Sequence, residues 1–127
     1  MPHVLIADND PAVSSLLTEI LVRSGLAVEH AGDGEQARIR ARASDVAALV
    51  CDLDMPKRSG IEVLESLADL AAPPPTVVVS GYLDDAVRAR LARLPFVRET
   101  LRKPFDLFVF ARAVLALVRP GGSATAM

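Results

Sequence analysis

The sequence predicts an α/β fold in which a five-stranded, doubly wound parallel sheet of the flavodoxin-like type carries helices on both faces. Short apolar runs alternate five times with segments of helical periodicity, and the connections between them are short. The first, third and fourth runs are the most apolar, so these strands belong in the centre of the sheet. The second and fifth runs carry polar residues and belong at its edges. The predicted strand order is therefore 2-1-3-4-5.

The first half of the chain supplies three strands and two helices. Residues 3–8 form an apolar strand, and apolar side chains then recur at helical spacing until Gly25, which is typical of a helix end. Residues 26–31 alternate between apolar and polar, as an edge strand does. The Asp33-Gly34 turn precedes a helix rich in arginine and alanine that we expect to reach about Ser44. Residues 45–52 form the third strand.

The second half begins with a helix whose apolar stripe lies within residues 61–68, and the prolines at 73–75 are expected to stop it. Residues 76–80 form the fourth strand, and a short fourth helix follows. Residues 96–101 form a fifth strand with polar residues on one side, and the final helix is expected over residues 105–119. The predicted domain therefore covers residues 1–119, and residues 120–127 form a flexible tail.

Composition limits the possible functions. The 127 residues fit one domain, and a net charge of −2 gives no general attraction to nucleic acid. The single cysteine, Cys51, excludes an internal disulfide, fits a reducing cytoplasm and is predicted to pack in the core. The sequence contains neither a stretch as long as a transmembrane helix nor a leader peptide. We therefore predict a cytoplasmic protein that does not insert into a membrane.

Polar side chains mark the ends of the predicted strands. Asp8 and Asp52 end the first and third strands, which flank the point where the winding of the sheet reverses. Open α/β sheets bind ligands at this point, so the two carboxylates should meet in one crevice. Ser80 ends the fourth strand, and Lys103 follows the fifth. Asp10 has a different predicted role, because it precedes a helix and fits an N-cap.

Four short motifs at these strand ends resemble those of receiver domains in the response regulators of two-component signalling. They are Asp8-Asn9-Asp10-Pro11, Asp52-Leu53-Asp54-Met55-Pro56 with Gly60, Ser80-Gly81, and Lys103-Pro104-Phe105. The resemblance covers essentially the whole chain apart from the tail, and it implies the fold of the chemotaxis regulators. It also implies that a histidine kinase or a histidine phosphotransfer protein donates a phosphoryl group to this chain.

The resemblance implies a role for each of these residues. Asp52 would be the phosphoacceptor, whose carboxylate attacks phosphorus. Mg²⁺ would be the cofactor, with oxygen ligands from Asp8, Asn9, Asp52 and the backbone carbonyl of Asp54. Lys103 would pair with a phosphoryl oxygen, and Ser80 would donate a hydrogen bond to it. The chain would catalyse at most its own phosphotransfer and dephosphorylation, so it is not predicted to be an enzyme. Its output would be a surface change in the region of residues 80–102.

Three positions bear on how such a switch would work. Asn9 stands where a second carboxylate is usual, so we expect weaker Mg²⁺ binding. Thr100 stands where an aromatic ring commonly moves inward, and it lacks the volume for that movement. Tyr82 is the only tyrosine in the chain and follows Ser80 by two positions. The candidate residues of the switch are Ser80, Tyr82 and Thr100, and Tyr82 is the side chain expected to move.

The resemblance places effector docking on the face formed by the fourth helix, fifth strand and fifth helix, where several arginines lie; a simple solvated face is the alternative. Asn9 and Thr100 also fit a docking module with weakened or absent phosphorylation, which the intact Asp52, Ser80 and Lys103 oppose.

A flavodoxin-like cofactor binder is disfavoured, because the first turn is acidic and lacks glycines to hold a phosphate. A haloacid-type phosphohydrolase would be larger, with its nucleophile after the first strand.

Overall fold

The computed structural model describes residues 2–118, in which five strands and five helices alternate. The strands are β1 (His3–Ala7), β2 (Val28–Ala31), β3 (Val46–Asp52), β4 (Thr76–Ser80) and β5 (Val97–Arg102). The helices are α1 (Pro11–Arg23), α2 (Gly34–Arg40), α3 (Gly60–Ser66), α4 (Asp85–Ala92) and α5 (Leu107–Val118). The predicted tail at 120–127 lies outside the described residues. Among the described residues, no helix is both long and apolar enough to cross a lipid bilayer.

The five strands form one parallel sheet in the order β2-β1-β3-β4-β5, which confirms the predicted topology and the predicted edge strands. The register of the central strands decides where the polar residues emerge. Ala7 of β1 lies opposite Cys51 of β3, so the next residues, Asp8 and Asp52, reach the carboxyl edge of the sheet at the same level. The sheet thus brings together two carboxylates that are distant in sequence.

Alternation along the strands builds a separate apolar core on each face of the sheet. One face includes Leu49, Cys51 and Val78 and packs against α2, α3 and α4. The other face includes Val50 and Val79 and packs against α1 and α5. Cys51 is fully buried, as predicted, and burial raises the pKa of its thiol. Because both faces are covered, the polar ends of the strands rest on a rigid support.

The predicted ends of α2 and α3 are wrong, because both helices end in turns several residues earlier than the sequence indicates. α2 ends at Arg40 instead of about Ser44; beyond it, the amide of Ala43 donates to the carbonyl of Arg40, only three residues back. α3 ends at Ser66, well before the proline run that was expected to stop it. The Ser66 hydroxyl donates to the carbonyl of Val63 at 2.6 Å and competes with the helical backbone bond.

The final helix begins at Leu107, two residues later than predicted. The carboxylate of Asp106 accepts hydrogen bonds from the amides of Phe108 at 2.7 Å and Val109 at 3.1 Å. Asp106 therefore acts as the N-terminal cap of α5. This leaves Lys103 in the loop between β5 and α5, where it reaches the carboxyl edge of the sheet.

Candidate functional site

Two buried carboxylates and one lysine meet at the carboxyl edge of the sheet. The Nζ atom of Lys103 lies 3.0 Å from Oδ2 of Asp52 and 3.6 Å from Oδ2 of Asp8. Asp52 is 3% exposed and Asp8 is 1% exposed, so both charges are removed from bulk water. The structure therefore brings together Asp8, Asp52 and Lys103, three of the residues that the sequence singled out.

The backbone around Asp52 is held by close packing and hydrogen bonds. The Oδ1 atom of Asp52 accepts a hydrogen bond from the amide of Asp54 at 3.0 Å. The amide of Gly60 donates to the carbonyl of Leu53 at 2.9 Å, which docks the start of α3 on the end of β3. A side chain at Gly60 would put its Cβ 2.2 Å from the carbonyl oxygen of Asp52, so this approach requires glycine. These contacts leave Oδ2 of Asp52 facing Lys103.

Asp8 is fixed at its backbone and at one carboxylate oxygen. Its amide donates to the carbonyl of Ala31 at 3.2 Å, and its Oδ1 accepts from the amide of Asp10 at 2.8 Å. Its Oδ2 is buried and has no hydrogen-bond partner within residues 2–118; it faces the ammonium group of Lys103. Asp10 itself caps α1, as predicted, by accepting from the amides of Ala12 and Val13.

Burial and the neighbouring charges shift the pKa values of two groups at the site. Burial raises the pKa of Asp8 above its usual value and the nearby charge of Asp52 adds to this, whereas the Asp10 amide and Lys103 oppose it. Burial alone would lower the pKa of Lys103, but the Asp52 and Asp8 carboxylates raise it above its usual value. Lys103 is therefore a stable cation at neutral pH. When both carboxylates are ionised, the single ammonium group of Lys103 balances only one of them, so the site carries one net negative charge.

The oxygen atoms of the site fit a hard divalent cation. The buried Oδ2 of Asp8 has an unused acceptor capacity, and Asp52 contributes a second carboxylate at the same edge. Mg²⁺ is commonly held by one or two carboxylates while it keeps several waters. Within the described part of the chain, no three His, Cys, Asp or Glu side chains cluster tightly enough to hold a metal by themselves. Such an ion would therefore also need the amide oxygen of Asn9, a backbone carbonyl or water.

The remaining predicted residues occupy different surroundings. The hydroxyl of Ser80 is fully buried and bonds to the backbone of Tyr82, not to Asp52 or Lys103. The side chain of Tyr82 is 68% exposed. Thr100 lines a cavity of about 210 Å³ between α4 and β5, together with Arg88 and Leu91 among others. Asn9 and Asp54 lie exposed in the two loops that flank the carboxylates.

Sequence reasoning missed His30. This residue lies in β2 opposite Ile6, and its Nε2 atom lies 2.9 Å from the carbonyl oxygen of Asp8. The same nitrogen lies 3.1 Å from the hydroxyl of Ser14. No motif or spacing marks this histidine, because its contacts with Asp8 and with Ser14 in the first turn of α1 depend on the register of the strands. Only the folded structure identifies it.

Comparisons with known proteins identify the family of the chain. The family model described as "Response regulator receiver domain" matches residues 4–114. The response regulator MprA of Mycobacterium tuberculosis is 33% identical over 129 residues, which cover 98% of this chain and 55% of that protein. The transcriptional regulatory protein PrrA of the same species is 34% identical over 124 residues, covering 96% of this chain and 52% of that protein. The chain thus spans about half the length of these curated relatives.

Solved structures show the same fold at lower sequence identity. A CheY-like receiver domain protein from Methanospirillum hungatei has a TM-score of 0.87 at 18% identity, with 98% of both chains covered. The response regulator TrrA from Thermotoga maritima, solved in complex with Mg²⁺ and BeF, has a TM-score of 0.78 at 24% identity, covering 92% of this chain and 99% of that one. From the extent of the family match and the shared fold, this chain belongs to the response regulator receiver domain family.

Proposed function

We propose that Asp52 accepts a phosphoryl group and that this chain works as a phosphorylation-dependent signalling switch. The observation that carries the proposal is the 3.0 Å contact between Oδ2 of Asp52 and Nζ of Lys103 in a buried site that Asp8 shares. A carboxylate held at a rigid strand end is a suitable nucleophile, and a fixed ammonium group beside it suits a phosphoryl oxygen. The family match supports this role.

In the proposed reaction, the Asp52 carboxylate forms a bond to phosphorus while the bond from phosphorus to the donor breaks. The donor is a phosphohistidine of a kinase or phosphotransfer protein, and its imidazole leaves with the electron pair of the P–N bond and then takes up a proton. Lys103 balances the negative charge that the phosphoryl group brings to a site that already holds Asp8. The chain itself catalyses at most this transfer and the later hydrolysis of the acyl phosphate.

Mg²⁺, when bound, would neutralise the repulsion between the carboxylates and the incoming phosphoryl group. Asp8 and Asp52 would hold it, with the amide oxygen of Asn9 and the carbonyl of Asp54 as the proposed further ligands. The spare, buried Oδ2 of Asp8 supports this assignment. The Thermotoga maritima protein, solved with Mg²⁺ and BeF, is an example of the same fold with this cation.

The proposed partners are a cytoplasmic histidine kinase or phosphotransfer protein as donor, and an effector on the face formed by α4, β5 and α5. Four arginines of these elements form no ion pair with any of the described residues: Arg88, Arg98, Arg102 and Arg112. In contrast, Arg90 pairs with Glu65 of α3 at 2.9 Å. The unpaired positive charge favours an acidic effector surface.

Incubation with acetyl phosphate and Mg²⁺ tests the proposal. We expect the intact protein to gain the mass of one phosphoryl group, and this group should be lost at alkaline pH, as acyl phosphates are. Asp52→Asn should abolish the gain, whereas Asp69→Asn, a change at an exposed aspartate that pairs with Arg42, should leave it intact. Labelling that persists in Asp52→Asn would refute the assignment. A folded wild type that takes up no phosphoryl group would favour the docking module.

A further inference from the structure

We infer that His30 is a positioning residue that holds the backbone of Asp8 and so orients the Asp8 carboxylate toward the metal. This inference concerns Mg²⁺ binding at the same site and rests on the function proposed above. His30 lies on the edge strand β2, and its ring reaches over to the loop that follows β1. Its Nε2 atom lies 2.9 Å from the carbonyl oxygen of Asp8, which is hydrogen-bond distance.

The chemistry of the contact fixes the direction of the hydrogen bond. A carbonyl oxygen is only an acceptor, so Nε2 of His30 carries the hydrogen and donates it to Asp8. The Ser14 hydroxyl donates to the carbonyl of Asp10 at 3.1 Å and lies 3.1 Å from the same Nε2, where it serves as a second acceptor. The imidazole thereby ties β2 to the loop after β1 and to the first turn of α1. Both the neutral Nε2–H tautomer and the imidazolium donate from this nitrogen, so the contact does not depend on the protonation of His30.

The remaining contacts of Asp8 show what this hydrogen bond adds. The Asp8 amide is bonded to Ala31, and Oδ1 is bonded to the amide of Asp10. The hydrogen bond from His30 holds the carbonyl oxygen of Asp8. The peptide group between Asp8 and Asn9 therefore cannot rotate without breaking this bond. The free Oδ2 is then presented at one position, close to Lys103. Groups that orient a metal ligand in this way typically change metal affinity or activity by roughly 10- to 100-fold when they are removed.

Direct titration with Mg²⁺ in a calorimeter, on the full chain, tests the inference. We compare the wild type with His30→Leu, which removes the donor, and His30→Gln, whose amide nitrogen replaces Nε2. We expect His30→Leu to weaken Mg²⁺ binding about tenfold or more, and His30→Gln to recover most of that loss. His3→Gln is the matched control, because His3 lies at the opposite end of β1, and we expect no change in affinity from it.

Two further measurements separate positioning from a general loss of stability. The rate of phosphorylation by acetyl phosphate should fall in His30→Leu at low Mg²⁺ and recover largely at saturating Mg²⁺. Without metal, the amide of Asp10 should exchange its hydrogen faster in His30→Leu, because its acceptor on Asp8 is less well held. If His30→Leu does not fold, Ser14→Ala and His30→Gln carry the test, since Ser14→Ala removes the second acceptor and should weaken Mg²⁺ binding more mildly.

The outcomes are distinguishable. A wild type that binds Mg²⁺ and accepts phosphoryl, with equal Mg²⁺ affinity in His30→Leu, overturns this inference and leaves the proposed function intact. Equal losses of affinity in His30→Leu and His30→Gln also overturn it, because the restored donor then brings no benefit. A folded wild type that neither binds Mg²⁺ nor accepts phosphoryl overturns the proposed function and this inference with it.

Discussion

The hydroxyl of Ser80 donates to the backbone carbonyl of Tyr82 at 2.8 Å and accepts from the amide of Tyr82 at 3.2 Å. Both hydrogen bonds hold the hydroxyl against the loop that follows β4. The carbonyl of Ser80 also accepts from the amide of Lys103 at 2.8 Å, which ties the end of β4 to the loop after β5. For Ser80 to donate to a phosphoryl group on Asp52, its hydroxyl has to exchange the Tyr82 carbonyl for the new acceptor.

We therefore predict that the response to phosphorylation begins in residues 80–85 and continues into α4. Thr100 is too small to fill the cavity of about 210 Å³ beside it, so an inward movement of that side chain cannot drive the change. Hydrogen exchange with and without Mg²⁺ and beryllofluoride, a mimic of the acyl phosphate, measures this directly. Altered protection confined to residues 80–94 is the expected result. Equal or larger changes around Thr100 would contradict it, and Ser80→Ala should reduce the response in the loop.

Gly60→Ala should damage the site through the backbone of Asp52. The added Cβ would lie 2.2 Å from the carbonyl oxygen of Asp52 and 2.6 Å from the Cα of Leu53, and both are backbone atoms that cannot move aside cheaply. We expect a loss of about 1–3 kcal/mol in the free energy of unfolding, as for other overpacking changes, together with slower phosphorylation. Urea unfolding and the acetyl phosphate assay measure the two effects.

Gly81→Ala provides the matched control for that prediction. A Cβ at Gly81 would have no heavy atom within 4 Å among its possible neighbours, although this glycine also directly follows a strand of the site. We expect it to change the free energy of unfolding by less than about 0.5 kcal/mol, as surface substitutions usually do. Similar losses of unfolding free energy in Gly60→Ala and Gly81→Ala would contradict the prediction, because the close approach at Gly60 would then not explain the loss.

The fold and the charged centre of the site were predictable because they depend on properties that a sequence displays locally. A continuous apolar run marks a central parallel strand, and the residue that ends it must lie at the carboxyl edge. Asp8 and Asp52 were found by this logic, whereas Lys103 was singled out by the resemblance to receiver domains, and the structure places its ammonium group beside both carboxylates. The order of the strands followed from which runs were most apolar.

The features that were missed depend on hydrogen bonds between a side chain and a backbone group. The early end of α3 depends on the Ser66 hydroxyl, the late start of α5 on Asp106, and the orientation of Ser80 on the backbone of Tyr82. The contact between His30 and Asp8 also requires the register of β2 against β1. Such bonds have no periodicity, so the pattern of residue types does not reveal them.

Asp8→Asn should stabilise the fold while it removes a metal ligand. Burial and the neighbouring charge of Asp52 raise the pKa of Asp8, so the ionised carboxylate costs folding free energy at neutral pH. The amide keeps the shape of the side chain, and Lys103 keeps Asp52 as its partner. In the absence of metal at pH 7, we expect the variant to gain about 0.5–2 kcal/mol in the free energy of unfolding, the usual range for one stabilising change.

The pH dependence of this gain has a definite sign. Well below 3.8, the ordinary pKa of an aspartate, the Asp8 carboxyl is protonated in both the folded and the unfolded states and the two proteins should be equally stable. As the pH rises through 3.8 and then through the raised pKa of the folded state, the unfolded wild type releases its proton first. The wild type therefore loses stability relative to Asp8→Asn over this interval, and the difference stays constant above it. Urea unfolding from pH 4 to pH 8 measures the difference, and a gap that closes toward neutral pH would contradict the prediction.

Asn9→Asp should tighten Mg²⁺ binding. Asn9 adjoins Asp8 in an exposed loop, and a carboxylate there would add a negative charge beside a proposed metal site that now relies on two carboxylates. An added charge on a direct ligand is worth on the order of 1–2 kcal/mol, which corresponds to roughly tenfold or more in affinity. Calorimetric titration with Mg²⁺ measures the change, and Gln36→Glu, which adds the same charge to the exposed surface of α2, controls for the general electrostatic effect. Without metal, Asn9→Asp should be less stable than the wild type, because a third carboxylate then repels Asp8 and Asp52, and saturating Mg²⁺ should reverse this order. Equal Mg²⁺ affinities in the two proteins would mean that Asp10 or Asp54 already supplies the missing charge.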